Sequence, residues 1–91
     1  MSSPSNAARR AAVQISLGRA SRLHRLVRLL LEAPHRRDVL LSRLKIGLRT
    51  FYRELELLRK LGLRVKRDGK TYHLGGTLAR AELLLPFPDP K

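Results

Sequence analysis

The hydrophobic positions of residues 45–61 fall on one side of a helix, and the charged positions fall on the other, at about 100° per residue. The apolar face consists of Phe51, Leu55 and Leu58, with Leu48 beside them. The opposite face consists of Arg49, Arg53, Glu56 and Lys60. Gly47 can cap the start of this helix, and Gly62 can provide its left-handed stop. The pattern predicts an amphipathic helix with a mainly cationic outer face.

Helical spacing occurs in two further segments before this helix. Residues 21–31 carry an apolar stripe of Leu23, Leu26, Val27 and Leu30. Pro34 predicts an end near Glu32, because proline cannot continue a helix and restricts the residue before it. A short helix is predicted for residues 39–44, with Asp38 as its cap or first-turn acid. Its apolar edge consists of Leu40, Leu41 and Leu44, and residues 35–37 form a basic connector.

After Gly62 the hydrophobic period changes from 3.6 to 2, which is typical of strands. Asp68-Gly69 between two five-residue runs is a strong hairpin signal. A two-residue turn there predicts an inner face with the pairs Val65–Tyr72 and Leu63–Leu74, and Arg67 opposite Lys70. It predicts a basic outer face with the pairs Arg64–His73 and Lys66–Thr71. The pattern therefore predicts a hairpin with an exposed basic side and tip.

The two ends of the chain allow more than one interpretation. Residues 1–18 are predicted as a largely disordered N-terminal arm, in which Arg9 and Arg10 act as a minor-groove arm or as a loose tail. Residues 13–17 alternate like a strand, or they lead into the next helix. Residues 77–91 are predicted as a C-terminal extension and a possible dimerisation segment. Within it, residues 77–85 form a short helix capped by Thr77, or residues 83–85 form a strand. The region between the two ends, residues 19–76, is predicted as the folded domain.

Charge is the strongest feature of the composition. The 91 residues include 20 Lys and Arg against 7 Asp and Glu, which gives a net charge of +13. Such a field attracts polyanions and favours nucleic acid over acidic membranes or proteins as the partner. There is no cysteine, no run of about 20 apolar residues that could span a bilayer and no secretory signal pattern. We therefore expect a cytoplasmic, nucleoid-associated protein.

The sequence gives little support for catalysis. His24, His35 and His73 lie on different predicted elements and have no carboxylate at a suggestive spacing. Glu54 and Glu56 are about 160° apart on a helix and cannot act as a pair. No phosphate-binding glycine loop and no metal-ligand cluster is present in the sequence. We expect no enzymatic activity, no cofactor and no metal.

The residue pattern assigns different roles to the charged residues of the third helix. Its first turn exposes Arg49, Thr50, Tyr52 and Arg53, which suit phosphates and base edges. The alternative for the two arginines is a solvated helix face. Tyr52 either reaches DNA or covers the edge of the core. Glu56 and Lys60 have the spacing of a helix-stabilising pair, and we expect Glu54 to meet a basic side chain within the domain.

The order helix, helix, turn, helix and basic hairpin resembles the winged helix-turn-helix. More narrowly, it is similar to the N-terminal domain of bacterial regulators of the DeoR and WYL-domain kind. The positions that match in order and spacing are Arg49-Thr50, Phe51, Arg53-Glu54, Leu55, Leu58 and Gly62. The resemblance covers about residues 21–74. It implies an α+β fold of three helices and a two-stranded hairpin wing, with a short C-terminal extension.

The resemblance also implies the function and the residues that carry it. A helix at 48–61 would insert into the major groove of double-stranded DNA, and a wing at 63–74 would lie on the flanking backbone. The candidate DNA-binding residues are Lys45, Arg49, Thr50, Tyr52, Arg53, Arg64, Lys66, Arg67 and Lys70. A homodimer is expected, because one recognition helix reads too few base pairs for selectivity.

Three positions depart from the family pattern. The family usually has a small residue at Leu41, a glycine at Lys45, and a serine or threonine at Gly47. Lys45 must therefore avoid or tolerate a positive φ. The chain also has no counterpart of the family's ligand-sensing domain, so we expect no small-molecule effector domain within it. The two alternatives to a transcription regulator are a non-specific or architectural nucleic-acid binder and a winged-helix protein adaptor.

Overall fold

The computed structural model describes residues 15–85 and shows an α+β arrangement of four helices and a three-stranded antiparallel sheet. The predicted α+β class is confirmed. The elements in chain order are α1 (Leu17–Glu32), β1 (His35–Arg36), α2 (Arg37–Leu44), α3 (Leu48–Lys60), β2 (Val65–Asp68), β3 (Thr71–Leu74) and α4 (Leu78–Glu82).

Helix α1 is the central element, and it contacts β3, α2 and α4. Its predicted stripe of Leu23, Leu26, Val27 and Leu30 is buried, and it ends at Glu32 as expected. It begins at Leu17 rather than Ser21, because the Ser16 side chain accepts a hydrogen bond from the Arg19 backbone N–H (3.1 Å) and caps the helix.

The strand interpretation of residues 13–17 is wrong for residues 15–17, the part of the segment that the structure describes. Leu17 is helical, and Ile15 forms a single-residue β-bridge and is buried in the core. The alternation does not continue as a strand, because the Ser16 cap starts helix α1 at Leu17. Residues 13 and 14 lie outside the described part of the chain, as do Arg9 and Arg10.

Helix α2 begins at Arg37, two residues before its predicted start, with Asp38 in its first turn. Its apolar edge is inside, since Leu40 and Leu44 are buried and Leu41 is half-buried. The last helical residue is Leu44, and Lys45 after it caps the helix in a left-handed conformation (φ 54°, ψ 48°). The backbone N–H of Lys45 bonds to the Ser42 carbonyl (3.3 Å), and that of Ile46 bonds to the Leu41 carbonyl (3.1 Å). This double closure is a Schellman motif with a lysine where glycine is usual.

We expect Lys45→Gly to raise the free energy of unfolding by about 0.5–1 kcal/mol. A Cβ in the left-handed region costs about 1–2 kcal/mol of strain, which glycine removes. Part of this gain is lost, because glycine makes the unfolded chain more flexible and so raises the entropy cost of folding. Urea unfolding of the two proteins measures the difference. The matched control is Gly62→Ala, which introduces a Cβ at φ 96° and should have the opposite sign. A destabilised Lys45→Gly variant would show that this turn carries no such strain.

Helix α3 buries the predicted face of Phe51, Leu55 and Leu58. It is capped at Gly47, and it ends in a second Schellman motif around Gly62 (φ 96°). Leu48 was placed beside the apolar face, but its side chain is 45% exposed. Leu48 is the first residue of the helix, and the elements that cover Phe51 do not extend over it.

The sheet has the strand order β1-β3-β2, so the prediction of a two-stranded hairpin alone is wrong. The additional strand β1 pairs His35 with Tyr72 and Arg36 with Thr71. These residues were predicted to be a connector. A strand of two residues has no visible alternation, and it exists here because β3 offers a free edge to the segment that follows Pro34.

The hairpin register also differs from the prediction. The pairs are Val65–Leu74, Lys66–His73, Arg67–Tyr72 and Asp68–Thr71, so the turn residues are Gly69 and Lys70. A turn at Asp68-Gly69 would require positive φ at both residues, whereas in the observed turn only Gly69 has positive φ (61°). The partner of each residue shifts by two positions, so the predicted separation of faces is kept. Leu63 is buried but lies before β2.

Helix α4 confirms the first of the two interpretations of residues 77–85. Thr77 caps it, since its side-chain oxygen accepts a hydrogen bond from the Arg80 backbone N–H (3.3 Å). Residues 83 and 84 form a turn, so the alternative strand at 83–85 is wrong. Ala81 and Leu85 join the core, where they extend the apolar surface of α1.

Candidate nucleic-acid interface

The outer face of α3 is open to solvent and carries the arginines predicted from its sequence. Arg49 and Arg53 are both exposed, and neither has an ion-pair partner among residues 15–85. Thr50 is half-buried beside them. Glu56 and Lys60 form the expected pair along the helix (3.8 Å), so the only carboxylate on this face is partly neutralised. The two unpaired arginines of this outer face, Arg49 and Arg53, therefore lie in the first half of the helix.

A buried carboxylate fixes how α3 lies against α1. The Glu54 side chain is only 1% exposed. Arg19 donates two hydrogen bonds to Glu54 Oε1 (2.9 and 2.7 Å), and Arg22 donates one to Oε2 (3.1 Å). Hydrogen bonds from a charged donor to a charged acceptor are about twice as strong as neutral ones. The prediction that Glu54 meets a basic side chain is confirmed, and the contact ties α3 to the beginning of α1.

Tyr52 connects α3 to the beginning of α2. Its hydroxyl accepts a hydrogen bond from Arg37 Nη1 (2.8 Å), and its ring lies against the Phe51 ring, with centroids 5.5 Å apart. The hydrogen bond from Arg37 lowers the pKa of Tyr52 below its ordinary value of 10.0 and raises that of Arg37. Tyr52 remains 43% exposed, so it both covers the edge of the core and faces solvent.

We expect Arg37→Ala to raise the pKa of Tyr52, because it removes the largest cause of the lowered value. Alkaline titration followed by the absorbance of the phenolate measures this pKa. The protein has two tyrosines, so the titration curve of Tyr52→Phe is subtracted to leave the signal of Tyr52. Arg36→Ala is the control, since Arg36 is not among the groups that shift the pKa of Tyr52. Equal Tyr52 titrations in wild type and Arg37→Ala would contradict the assigned cause.

A basic pocket lies between the start of α2 and the hairpin turn. It has a volume of about 420 Å³, and its lining comprises four cations, one carboxylate and one phenol: Arg36, Arg37, Arg67, Lys70, Asp38 and Tyr72. The carboxylate offsets little of this charge, since Asp38 is 3.7 Å from Arg36 at an exposed position. Arg67 also lies over the Tyr72 ring, 6.0 Å from its centroid. The pocket is a concave, strongly cationic surface suited to phosphate.

The sequence prediction included Arg67 and Lys70 but missed Arg36 and Arg37. The basic run at 35–37 was visible, but its position depends on the pairing of β1 with β3, which the sequence does not reveal. A second groove, of about 390 Å³, separates α3 from the hairpin. Its charged lining consists of Arg59, Arg67 and Glu56, and the rest is apolar or aromatic, including Tyr52. Because Arg67 borders both the pocket and the groove, the two are adjacent on one side of the domain.

The remaining predicted site residues do not all lie on this side. Lys45 is exposed in the turn between α2 and α3. Arg64 and Lys66 line a different groove, next to α4, which they do not share with Arg67 or Lys70. The hairpin is therefore basic on two sides.

The histidines are dispersed over the fold. His24 bonds through Nε2 to Glu82 (3.1 Å) and connects α1 to α4. His35 and His73 lie on β1 and β3. Within residues 15–85 no group of three or more histidine and carboxylate side chains is placed to hold a metal ion. In the same part of the chain, no helix has the length and hydrophobicity needed to cross a membrane.

The arrangement can bind a long polyanion through an open arginine face, a basic groove and a basic pocket on neighbouring elements. The chain matches no protein-family model, no curated protein and no solved structure.

Proposed function

We propose that the protein is a DNA-binding transcription regulator of the winged helix-turn-helix type. Helix α3 enters the major groove, and the β2–β3 hairpin lies as a wing on the flanking backbone. The observation that carries this proposal is the outer face of α3. Its arginines are exposed and unpaired, and Glu54, on another flank of the same helix, anchors α3 to α1. Major-groove reading requires such a rigidly held helix with free donors.

The element order supports the winged-helix assignment. Helices α2 and α3 are joined by three residues, 45–47, and the hairpin follows α3 directly. The short strand β1 adds a third strand to the hairpin and is compatible with such a fold. The resemblance to DeoR and WYL-type bacterial regulators supports the same proposal, and with it a cytoplasmic, nucleoid-associated location.

We assign different contacts to the two basic regions of this side. Arg49, Thr50 and Arg53 reach base edges and nearby phosphates from the start of α3, with Tyr52 beside them. The basic pocket of Arg36, Arg37, Arg67 and Lys70 holds backbone phosphates, since guanidinium groups bind phosphate oxygens in pairs. Lys45 lies in the turn before α3 and adds one more cation near the backbone.

A homodimer on a two-fold DNA site completes the proposal, because a single recognition helix gives too few specific contacts. Leu17, at the start of α1, is 69% exposed and is a surface leucine available for such an interface.

Selection of bound sequences from randomised double-stranded DNA tests the function. We expect one enriched motif with two-fold symmetry, and retention of the selected duplex against excess random DNA at low and high salt. An equal loss of binding to the selected duplex and to random DNA at high salt would support the alternative of a non-specific or architectural binder. Weak binding that substitutions on α3 leave unchanged would support a protein adaptor.

We expect Lys70→Gln to weaken DNA binding similarly on all sequences and to reduce the salt slope of log affinity by about one unit, because one phosphate contact is lost. Fluorescence titration of the selected duplex over a range of salt concentrations measures the slope. Arg28→Gln, an exposed cation of α1 outside the basic pocket, is the control with the same charge change. A loss confined to one base position would contradict the phosphate role of Lys70.

A further inference from the structure

The second basic side of the hairpin forms a groove with α4. The groove has a volume of about 450 Å³ and combines two kinds of side chain. Its apolar lining consists of Leu63, Leu74, Ala81, Leu83 and Leu84, and its cations are Arg64, Lys66 and Arg80. A mixture of aliphatic and cationic lining is unlike the basic pocket, which has no aliphatic residue in its lining. The two surfaces therefore suit different ligands.

The charges of this groove have no internal compensation. None of the three cations has an ion-pair partner within residues 15–85, and none of the described residues that line the groove is acidic. The nearest acid along α4, Glu82, is directed toward His24 on α1, 3.1 Å away. The groove therefore presents three free positive charges to a ligand.

The apolar part of the groove is accessible as well. Leu83, in the turn after α4, is 56% exposed, and Leu84 is half-buried. Strand β2 is at the edge of the sheet and is paired only with β3 among the described strands. One exposed and one half-buried leucine, together with the edge strand β2, offer apolar contact and backbone hydrogen bonds to an extended segment.

We propose that this groove docks an acidic, leucine-containing segment of a partner protein. The carboxylates of the segment pair with Arg64, Lys66 and Arg80, and its leucines cover Leu83 and Leu84. Charge complementarity selects this occupant. A second copy of the chain, related by two-fold symmetry, would place the same three cations against each other. The phosphates of DNA would leave the leucines uncovered. The proposal does not depend on DNA binding.

A synthetic, fluorescently labelled peptide of alternating glutamate and leucine tests the proposal by fluorescence anisotropy without DNA. Two comparison peptides replace the leucines by serine or the glutamates by lysine. We expect only the glutamate-leucine peptide to bind. Arg80→Glu and Leu83→Asp should each weaken this binding about tenfold or more, which corresponds to about 1.4 kcal/mol. Both positions are exposed, and circular dichroism of each variant checks that the fold is kept.

The control is Arg28→Glu, which makes the same charge change on α1 outside the groove. Equal weakening by Arg28→Glu would overturn the proposal, since binding would then follow net charge alone. Equal binding of the glutamate-serine peptide would overturn it as well, because the leucines would have no role.

Three further results would name another occupant and overturn the proposal. A dimer that Leu83→Asp converts to a monomer would place a second copy in the groove. No peptide binding by the full chain, with binding that appears only after removal of residues 86–91, would place the chain's own C-terminal segment there. A loss of DNA affinity in Arg80→Glu that greatly exceeds the loss in Arg28→Glu would give the groove to DNA.

Discussion

Replacing Arg53 by alanine is expected to weaken binding to the selected DNA by about 1–3 kcal/mol, or roughly 5- to 150-fold, because a base-contacting arginine is lost. Arg53 is exposed on the outer face of α3 and has no ion-pair partner within residues 15–85, so its substitution should not alter the fold. Fluorescence titration with the selected duplex and with single-base variants of it measures both affinity and sequence preference.

Lys60→Ala is the matched control for this result. It removes one positive charge from the same helix face, at the opposite end from Arg49, and Lys60 is already paired with Glu56. We expect a small loss that is equal for all sequences. Should Arg53→Ala and Lys60→Ala weaken binding equally, Arg53 would contribute only general charge, and base reading from α3 would be wrong.

The largest effect on stability is expected from removing both partners of Glu54. Arg19→Ala combined with Arg22→Ala leaves a carboxylate that is 1% exposed without its three hydrogen bonds. Breaking a buried ion pair from one side typically lowers the free energy of unfolding by about 3–5 kcal/mol. Arg19 and Arg22 are themselves 28% and 34% exposed, so water reaches the carboxylate once they are removed, and we expect a loss at the lower end, about 3 kcal/mol. For a domain of this size, each 1 kcal/mol shifts the melting temperature by roughly 4–8 °C. Thermal unfolding followed by circular dichroism measures the change.

The control for this prediction adds Glu54→Leu to the double variant. The buried charge is then gone, so we expect most of the lost stability to return, because well-packed apolar groups often replace a buried ion pair at no cost. A double variant as stable as wild type would show that Glu54 finds other partners or solvent, and that the contact does not fix α3 against α1.

The parts of the structure predictable from sequence are those in which nearby residues determine the outcome. The inner and outer faces of α3 follow from helical periodicity alone, and Arg49 and Arg53 are exposed as predicted. The sequence predicted that Glu54 has a basic partner, because a carboxylate on a buried flank requires a cation. Which cations supply it could not be predicted, since Arg19 and Arg22 are more than 30 residues away.

The errors arise where distant segments meet or where a single residue selects between turns. Strand β1 exists only through its pairing with β3, and without it the basic pocket could not be foreseen. The hairpin register depended on whether Asp68 or Gly69 begins the turn, and Gly69 does so because glycine alone adopts positive φ without strain. The helix start at Leu17 depended on the Ser16 cap.

The register shift changes the cross-strand partners of the hairpin cations without moving any of them to the other face. It preserves the inner and outer faces of the hairpin but places Arg67 opposite Tyr72, beside the basic pocket. Arg64 and Lys66 line the groove next to α4 instead. The sequence predicted a single basic wing, whereas the structure divides its cations between two surfaces, so we leave Arg64 and Lys66 out of the proposed DNA face.

Dimethyl sulfate footprinting of the selected duplex most directly tests whether α3 lies in the major groove. The reagent methylates guanine N7 in the major groove and adenine N3 in the minor groove. We predict that the wild-type protein protects at least one guanine N7 and that Arg53→Ala, at saturating concentration, loses that protection while others remain. Protection of adenine N3 alone, or a guanine pattern unchanged by Arg53→Ala, would contradict the proposed role of this helix.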